Sequence, residues 1–229
     1  MKRRPTLELL DSDSGTPEEI AGSLRDLRSF NQYLGGVSTT RDLIRVVARK
    51  TGKTHLSLLE LAAGTGFVPL QAARDLNDEG INLHVTLLDR ATTHLPQNGP
   101  AKKIAGDALS VPFADSSFDL VSCSLFVHHL SPEAVVQFAH EASRICRIAV
   151  LVNDLVRHPL HLALAYAGAP LYRSRITRND APASVRQSYT VEEMSALFRS
   201  TGVQVEARKH FLFRMGVIAW KAASDSNDV

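Results

Sequence analysis

Acidic and small residues cluster where an apolar run of the sequence ends. The stretch LLELAAGTGF places Glu60 inside the apolar run and follows it with Ala62, Gly64 and Gly66. Glycine is used where the backbone takes a positive φ or where something must lie directly against it. The pattern predicts a buried strand that ends in a turn lying against a ligand.

Further acids follow the next two apolar runs. Asp89 ends LHVTLLD, and Asp107 follows the weaker run AKKIAG. An acid at the end of a second parallel strand can accept hydrogen bonds from the hydroxyls of a ribose. The alternatives are a helix N-cap for Asp89, a solvated loop acid for Asp107 and a plain tight turn for the two glycines.

The residues after the glycines separate two classes of nucleotide-like ligand. A dinucleotide site has the pattern G-x-G-x-x-G, but here Gly64 and Gly66 are followed by Phe67, Val68 and Pro69. Glu60 would also repel a pyrophosphate. A cationic ligand without phosphate fits better, and the amino-acid end of S-adenosylmethionine, which carries a sulfonium, is such a ligand.

These motifs resemble those of class I S-adenosylmethionine-dependent methyltransferases, closest to the small-molecule group that includes the quinone-biosynthesis methylases. ELAAGTG is similar to the first motif of that family, E/D-x-G-x-G-x-G, with Ala62 in the first glycine position. The resemblance implies that Glu60 orders the turn and the methionine amino group. It also implies that Ala62, Gly64 and Gly66 line the cofactor.

Three later motifs extend the resemblance over roughly residues 40–155. It implies that Asp89 binds the ribose hydroxyls with Arg90 beside it. Asp107 would accept from the adenine amino group, and Ala108 would lie on the adenine. The fourth motif, SCSLFVHHL, includes Ser124 at a strand end that faces both cofactor and acceptor.

Two histidines and an acid are the candidate catalytic residues. Methyl transfer is an in-line displacement that needs alignment and exclusion of water, and an oxygen acceptor also needs a base. His128 and His129 follow the fourth strand, and Asp154 ends the fifth. Packing or capping roles are the alternatives for the histidines, and an N-cap is the alternative for Asp154. We expect no metal site, although His158 and His161 have a spacing that a metal ion could use.

Helical and strand patterns alternate through most of the chain. They predict a Rossmann-like three-layer α/β fold with a mostly parallel seven-stranded sheet, an antiparallel last strand, N-terminal helices over 16–52 and a helical lid insert over 155–188. Residues 1–15 are predicted to be loosely held. The insert reads as an apolar helix followed by an arginine-rich loop. This loop either holds an anionic or phenolic group of the acceptor or is a solvated basic surface.

Composition narrows the class of protein further. The 229 residues predict a single domain over 1–229, and the net charge of +2 gives no footprint for nucleic acid. No run of apolar residues is long enough for stable membrane insertion. Two cysteines without metal-type spacing favour a reducing, cytoplasmic location. We expect a monomer or a homodimer.

The sequence therefore predicts a methyltransferase that uses S-adenosylmethionine. Its acceptor is expected to be small and apolar or aromatic, of the phenolic, polyketide or quinone-precursor type found in secondary metabolism, and methylated on oxygen or carbon. The N/D-P-P-Y/F motif of nucleic-acid methyltransferases is absent, because the corresponding strand ends in SCSL. A noncatalytic cofactor-binding module of a larger assembly is the alternative.

Overall fold

Seven strands form one sheet in the computed structural model, which describes residues 1–12, 14–96, 98–99 and 101–221. The strands are β1 His55–Leu61, β2 Asn82–Asp89, β3 Lys102–Ala105, β4 Phe118–Ser124, β5 Cys146–Leu155, β6 Gln204–His210 and β7 Arg214–Trp220. Their order is β3-β2-β1-β4-β5-β7-β6. Only β7 runs antiparallel to its neighbours, which confirms the predicted mixed sheet.

Helices cover both faces of the sheet. They are α1 Pro17–Tyr33, α2 Gly36–Thr51, α3 Phe67–Asn77, α4 Pro132–Ile145, α5 Pro159–Ala167, α6 Arg175–Gln187 and α7 Val191–Arg199. Adjacent residues of β1 enter different apolar clusters, since Leu58 packs with α2 while Leu59 packs with α4 and α7. This alternation is the period of a strand buried on both faces, and it produces the three layers.

The strand order reverses between β1 and its two neighbours, β2 and β4. In open α/β sheets the crevice beyond the carboxyl ends of the strands at such a point is the ligand site. β1, β2, β4 and β5 all end at this edge with the candidate residues of the sequence. No helix among the described residues is long and apolar enough to cross a membrane.

The arginine-rich part of the insert is a helix, so the prediction of a loop there is wrong. The side chain of Ser174 caps α6 by accepting from the N–H of Ile176 at 3.1 Å. Buried residues recur at helical spacing along α6, at Ile176, Asp180 and Ala183. The arginines lie on the other side, and Pro182 is accommodated inside the helix.

The N-terminal segment is docked onto the molecule, so the prediction that it is loosely held is also wrong. We call residues 1–12 the N-terminal strap. The Arg3 guanidinium donates to the carbonyls of His128 and Leu130 at 2.9 and 2.8 Å. The backbone N–H groups of Leu9 and Leu10 donate to the Asp180 carboxylate at 2.9 and 3.0 Å. Buried partners far along the chain therefore hold the strap in place.

Candidate functional site

The turn after β1 has a backbone that few side chains tolerate. Ala62, Gly64 and Gly66 take φ values of +52°, +51° and +66°. A Cβ on Gly66 would lie 2.5 Å from Leu87 Cδ1, whereas a Cβ on Gly64 would meet nothing within 4 Å. Gly66 therefore lets the turn pack against β2, and Gly64 leaves open space above the turn for a ligand.

Asp89 connects the end of β2 to this turn. Its carboxylate accepts from the N–H of Gly64 and from the N–H of Ala91, both at 2.7 Å. Each carboxylate oxygen has more than one acceptor position, so both can still accept from a hydroxyl group. The geometry suits a ligand with a pair of hydroxyls that lies across the turn.

Glu60 is a buried acid beneath the turn. It is 1% exposed, and the Ser122 hydroxyl donates to its carboxylate. Burial raises the pKa of Glu60 to about 7, against the opposing effect of the hydroxyls of Ser122 and Ser124. A cationic group arriving nearby would favour the ionised carboxylate and gain from it.

The loop after β3 supplies another wall. Asp107 is exposed and accepts from the N–H of Leu109 at 2.8 Å, while Ala108 is buried. Arg90 is exposed at the end of β2. Asp107 thus keeps a carboxylate oxygen at the mouth of the site next to a small apolar surface.

One cavity of about 660 Å³ brings most of the predicted site residues together. The predicted residues that line it are Glu60, Ala62, Gly64, Asp89, Arg90, Asp107, Ala108, Ser124, His128 and His129. Gly66 and Asp154 do not line it. Gly66 lies against β2, and Asp154 is buried behind His128.

His128 and Asp154 form a buried pair. His128 Nδ1 lies 2.6 Å from Asp154 Oδ1, and the His128 N–H donates to Oδ2 at 3.1 Å. Burial acts to lower the pKa of His128, but Asp154 and Glu8 outweigh it and raise that pKa to about 10. Burial acts to raise the pKa of Asp154, but the charge and hydrogen bond of His128, together with the N–H of Leu155, outweigh it and lower that pKa. His128 therefore holds a proton at neutral pH.

His129 is the more accessible of the two histidines. Its side chain is 22% exposed, and its Nδ1 lies 3.0 Å from Asp11 Oδ2. Burial acts to raise the pKa of Asp11, but the hydrogen bond and charge of His129 lower it below its ordinary value. Asp11 can therefore stabilise an imidazolium at His129 when that ring accepts a proton.

Sequence reasoning missed several residues of the cavity wall. Glu8 and Asp11 reach it from the strap, and no local pattern marks them. Arg28 of α1 lies over the Phe67 ring, 4.8 Å from its centroid, and both line the cavity. The helical spacing of α1 was visible in the sequence, but the contact of Arg28 with Phe67 was not.

The histidines and arginines of the insert make ring contacts and ion pairs within the protein. His158 and His161 both stack on the Phe213 ring, at centroid distances of 5.0 and 5.1 Å. Arg173 pairs with Asp26 and Arg175 with Glu19. None of the arginines in α6 or just before it belongs to the described cavity wall. The structure therefore supports the alternative that they form a basic surface. Those arginines are Arg173, Arg175, Arg178 and Arg186.

A different trio has metal-like spacing. Ligand atoms of Glu8, His128 and His129 lie within 4.8 Å of one another. His128 Nε2 is buried without a hydrogen-bond partner, 3.6 Å from Glu8 Oε1. Since His128 must lose its proton to bind a metal ion, the buried ion pair competes with that use.

Comparisons with known proteins match part of this chain to methyltransferases. Residues 59–149 match the family model described as a methyltransferase domain. A demethylmenaquinone methyltransferase of Beutenbergia cavernae is 37% identical over 133 residues, which cover 54% of this chain and 51% of that protein. The biotin biosynthesis bifunctional protein BioHC of Cellvibrio japonicus is 28% identical over 140 residues, 56% of this chain and 27% of that protein. The chain thus spans about half the length of the first curated relative and less of the second.

Solved structures show the same fold at low identity. The plantazolicin methyltransferase BpumL in complex with SAH has a TM-score of 0.70 and 13% identity, covering 94% of this chain and 95% of that one. Human N-acetylserotonin methyltransferase in complex with SAM has a TM-score of 0.59 and 15% identity, covering 97% and 63%. The match over residues 59–149 supports the methyltransferase assignment made from the motifs, and the solved structures show that the fold is shared.

Proposed function

We propose that this chain transfers the methyl group of S-adenosylmethionine to an oxygen or carbon of a small, apolar or aromatic acceptor. The acceptor class is phenolic, polyketide-like or quinone-precursor-like. The observation that carries the proposal is the shared cavity. The turn after β1, the end of β2 and the histidines after β4 all open into one space of about 660 Å³.

The residues present fit the cofactor part by part. Glu60 lies beneath the turn for the ammonium group, and Gly64 leaves room for the backbone to approach it. Asp89 retains acceptor positions for two ribose hydroxyls, and Asp107 with Ala108 bounds the place for adenine. When bound, the cofactor supplies an electrophilic methyl group on its sulfonium.

Most of the remaining cavity wall is apolar, with Asn31, Asp180 and Arg214 among the polar exceptions. The apolar part comes from α1, the insert and the loop before β7, through Leu24, Leu27, Leu155, Leu164, Ala165 and Phe213. These side chains exclude water from the line between acceptor and methyl group, which is the main demand of the displacement. They also favour an acceptor that is itself poorly soluble in water.

Within this proposal the two histidines have separate tasks. His129 is the base for an oxygen acceptor, because it is accessible and Asp11 stabilises its charged form. His128 is a positioning residue, since it keeps its proton and Asp154 fixes its ring. The ring centroids lie 4.1 Å apart, so His128 also limits the movement of His129.

Calorimetric titration with S-adenosylhomocysteine, with NAD as the control ligand, tests the cofactor assignment. We expect binding of the first and none of the second. Asp89→Ala should weaken binding about tenfold or more, the effect of losing hydrogen bonds to a charged group. Asp78 is exposed at the end of α3. The variant Asp78→Ala is therefore the matched control and should bind S-adenosylhomocysteine as the wild type does. Unchanged affinity in a folded Asp89→Ala protein would refute the ribose assignment.

A further inference from the structure

The outward face of α5 is apolar and exposed. Leu160, Ala163 and Ala167 are exposed at helical spacing, and Leu171 just beyond the helix is 83% exposed. The helix, PLHLALAYA, contains no acidic residue, lysine or arginine. Large apolar side chains that cluster on a surface mark an interaction site more often than scattered ones do.

Basic side chains lie beside α5, on the side of Leu162 and Tyr166 and next to the turn that follows the helix. We call Lys2, Arg4, Arg178 and Arg186 the basic collar. The Arg186 guanidinium donates to the Tyr166 hydroxyl, and Arg178 donates to the Tyr172 carbonyl at 3.4 Å. Lys2, Arg4 and Arg186 border a groove with Leu162 of α5.

The collar is free of counter-charges in the part of the chain that the structure describes. Arg173 and Arg175 pair with acids of α1, but no carboxylate lies within ion-pair distance of a collar side chain. Four unpaired cations around an apolar helix form a surface that complements negative charge next to hydrocarbon.

This combination fits an anionic lipid surface better than a second copy of the chain. Helices that lie in the membrane interface bury apolar side chains and place lysine and arginine at the headgroups. A two-fold symmetric dimer through the same face would bring two collars together, because such an interface pairs a surface with itself. The like charges oppose that arrangement.

The opposite side of α5 faces the cavity. His161, Leu164 and Ala165 line it, so a single helix separates the acceptor space from the exposed face. We propose that the outward face of α5 and the basic collar dock on the surface of a bilayer that contains anionic phospholipid. The docking rests on this surface alone. Docking would let an acceptor enter from the lipid phase, and this second step rests on the proposed function.

Sedimentation with vesicles tests the docking in the 229-residue protein. Vesicles of phosphatidylcholine alone are compared with vesicles that contain about one-third phosphatidylglycerol. We expect binding to the anionic vesicles only, weakened by salt. Leu160→Ser with Leu171→Ser should lower the partition coefficient about tenfold or more, since two leucine side chains no longer enter the interface.

The charge contribution has its own variant and control. Lys2→Gln, Arg4→Gln and Arg178→Gln together should weaken binding about fivefold per charge. The control removes three exposed arginines from other elements, in Arg49→Gln, Arg199→Gln and Arg208→Gln, and should bind as the wild type does. Equal losses in both triple variants would show attraction by overall charge and overturn the proposed face.

Two other results would overturn the proposal. One is wild-type binding that does not distinguish anionic from neutral vesicles. The other is a dimer, seen by light scattering, that Leu160→Ser with Leu171→Ser dissociates, because the face would then belong to a second copy. Vesicle binding needs neither cofactor nor turnover. Binding of vesicles without binding of S-adenosylhomocysteine would therefore support docking and refute the proposed function, and the reverse result would refute docking alone.

Discussion

His129 and His161 both line the cavity but have different neighbours. His161 Nδ1 lies 3.1 Å from the Val156 carbonyl, which can only accept, so the ring proton is on Nδ1. Burial lowers the pKa of His161, and Arg214 and His158 add to the effect. The His161 ring is thus neutral, whereas His129 Nδ1 lies 3.0 Å from a carboxylate oxygen of Asp11.

Kinetics of the two variants test which imidazole is the base. For a hydroxyl acceptor, His129→Gln should lower kcat about 10²-fold or more, the usual contribution of a positioned base. His161→Gln should raise KM and keep kcat within about tenfold, because it removes an orienting contact. The opposite pattern would assign the base to His161. Circular dichroism of both variants checks that the loss is not one of folding.

Sequence reasoning found the site residues that lie at strand ends, but not those that reach the site from a distant part of the chain. Glu60, Gly64, Asp89 and Asp107 were predictable, because each lies at or just beyond the end of a strand and strand ends meet at one edge of a sheet. Asp11 was not, since it contacts His129 from a segment with no periodicity. Such a contact is set by tertiary packing, and no local pattern encodes it.

The turn between β1 and α3 contains a residue other than glycine in an unfavourable backbone conformation. Ala62 has a φ of +52°, where a side chain costs energy and glycine does not. Ala62→Gly should raise the free energy of unfolding by about 0.5–1 kcal/mol, because the relief exceeds the entropy that glycine adds to the unfolded chain. Urea denaturation measures the change, and a lower free energy of unfolding would contradict the assignment of strain.

Gly66→Ala tests the close approach in the same turn. It should lower the free energy of unfolding by more than about 1–2 kcal/mol, since the strain of a positive φ is joined by overlap with Leu87. Gly52→Ala is the matched control. Its φ is +69°, but a Cβ there meets nothing within 4 Å. Equal losses in the two variants would mean that the approach to β2 contributes nothing.

The insert shows why an element can be misread from composition. Arginines and Pro182 suggested a loop, yet buried residues recur along α6 at the helical period. The buried set is small and polar, with Asp180 and Ser184 in place of large apolar residues. A helix that buries such residues against a polar strap has a low overall hydrophobicity, so composition alone does not reveal its buried face.

Across the whole molecule, the His128–Asp154 pair joins three distant parts of the chain. Asp154 ends β5, His128 follows β4, and Glu8 of the strap lies 3.6 Å from His128 Nε2. The Glu8 carboxylate also accepts from Gln187 of α6 at 2.7 Å. The charge of one imidazole thus couples the strap and the insert to the sheet, and folding should depend on its proton.

The pH dependence of unfolding checks this coupling. The pKa of His128 rises from 6.5 to about 10 on folding, so its contribution is complete below about pH 6.5 and is lost as the pH rises through 10. For Asp154, whose pKa is lowered, the contribution is present above 3.8 and is lost as the pH falls through the folded pKa. Urea denaturation at a series of pH values should show that the free energy of unfolding of the wild type falls from pH 6 toward pH 10.

Comparison with variants isolates the His128 contribution from other groups that titrate at high pH. His128→Gln should be less stable at pH 6 and should show a shallower fall toward pH 10, because it has no proton to lose. His140 is exposed, so His140→Gln is the matched control. It should keep the wild-type slope of the free energy of unfolding against pH. Parallel slopes in the wild type and His128→Gln would show that the imidazole is neutral in the folded protein. The strap and insert would then be held to the sheet by their uncharged contacts alone.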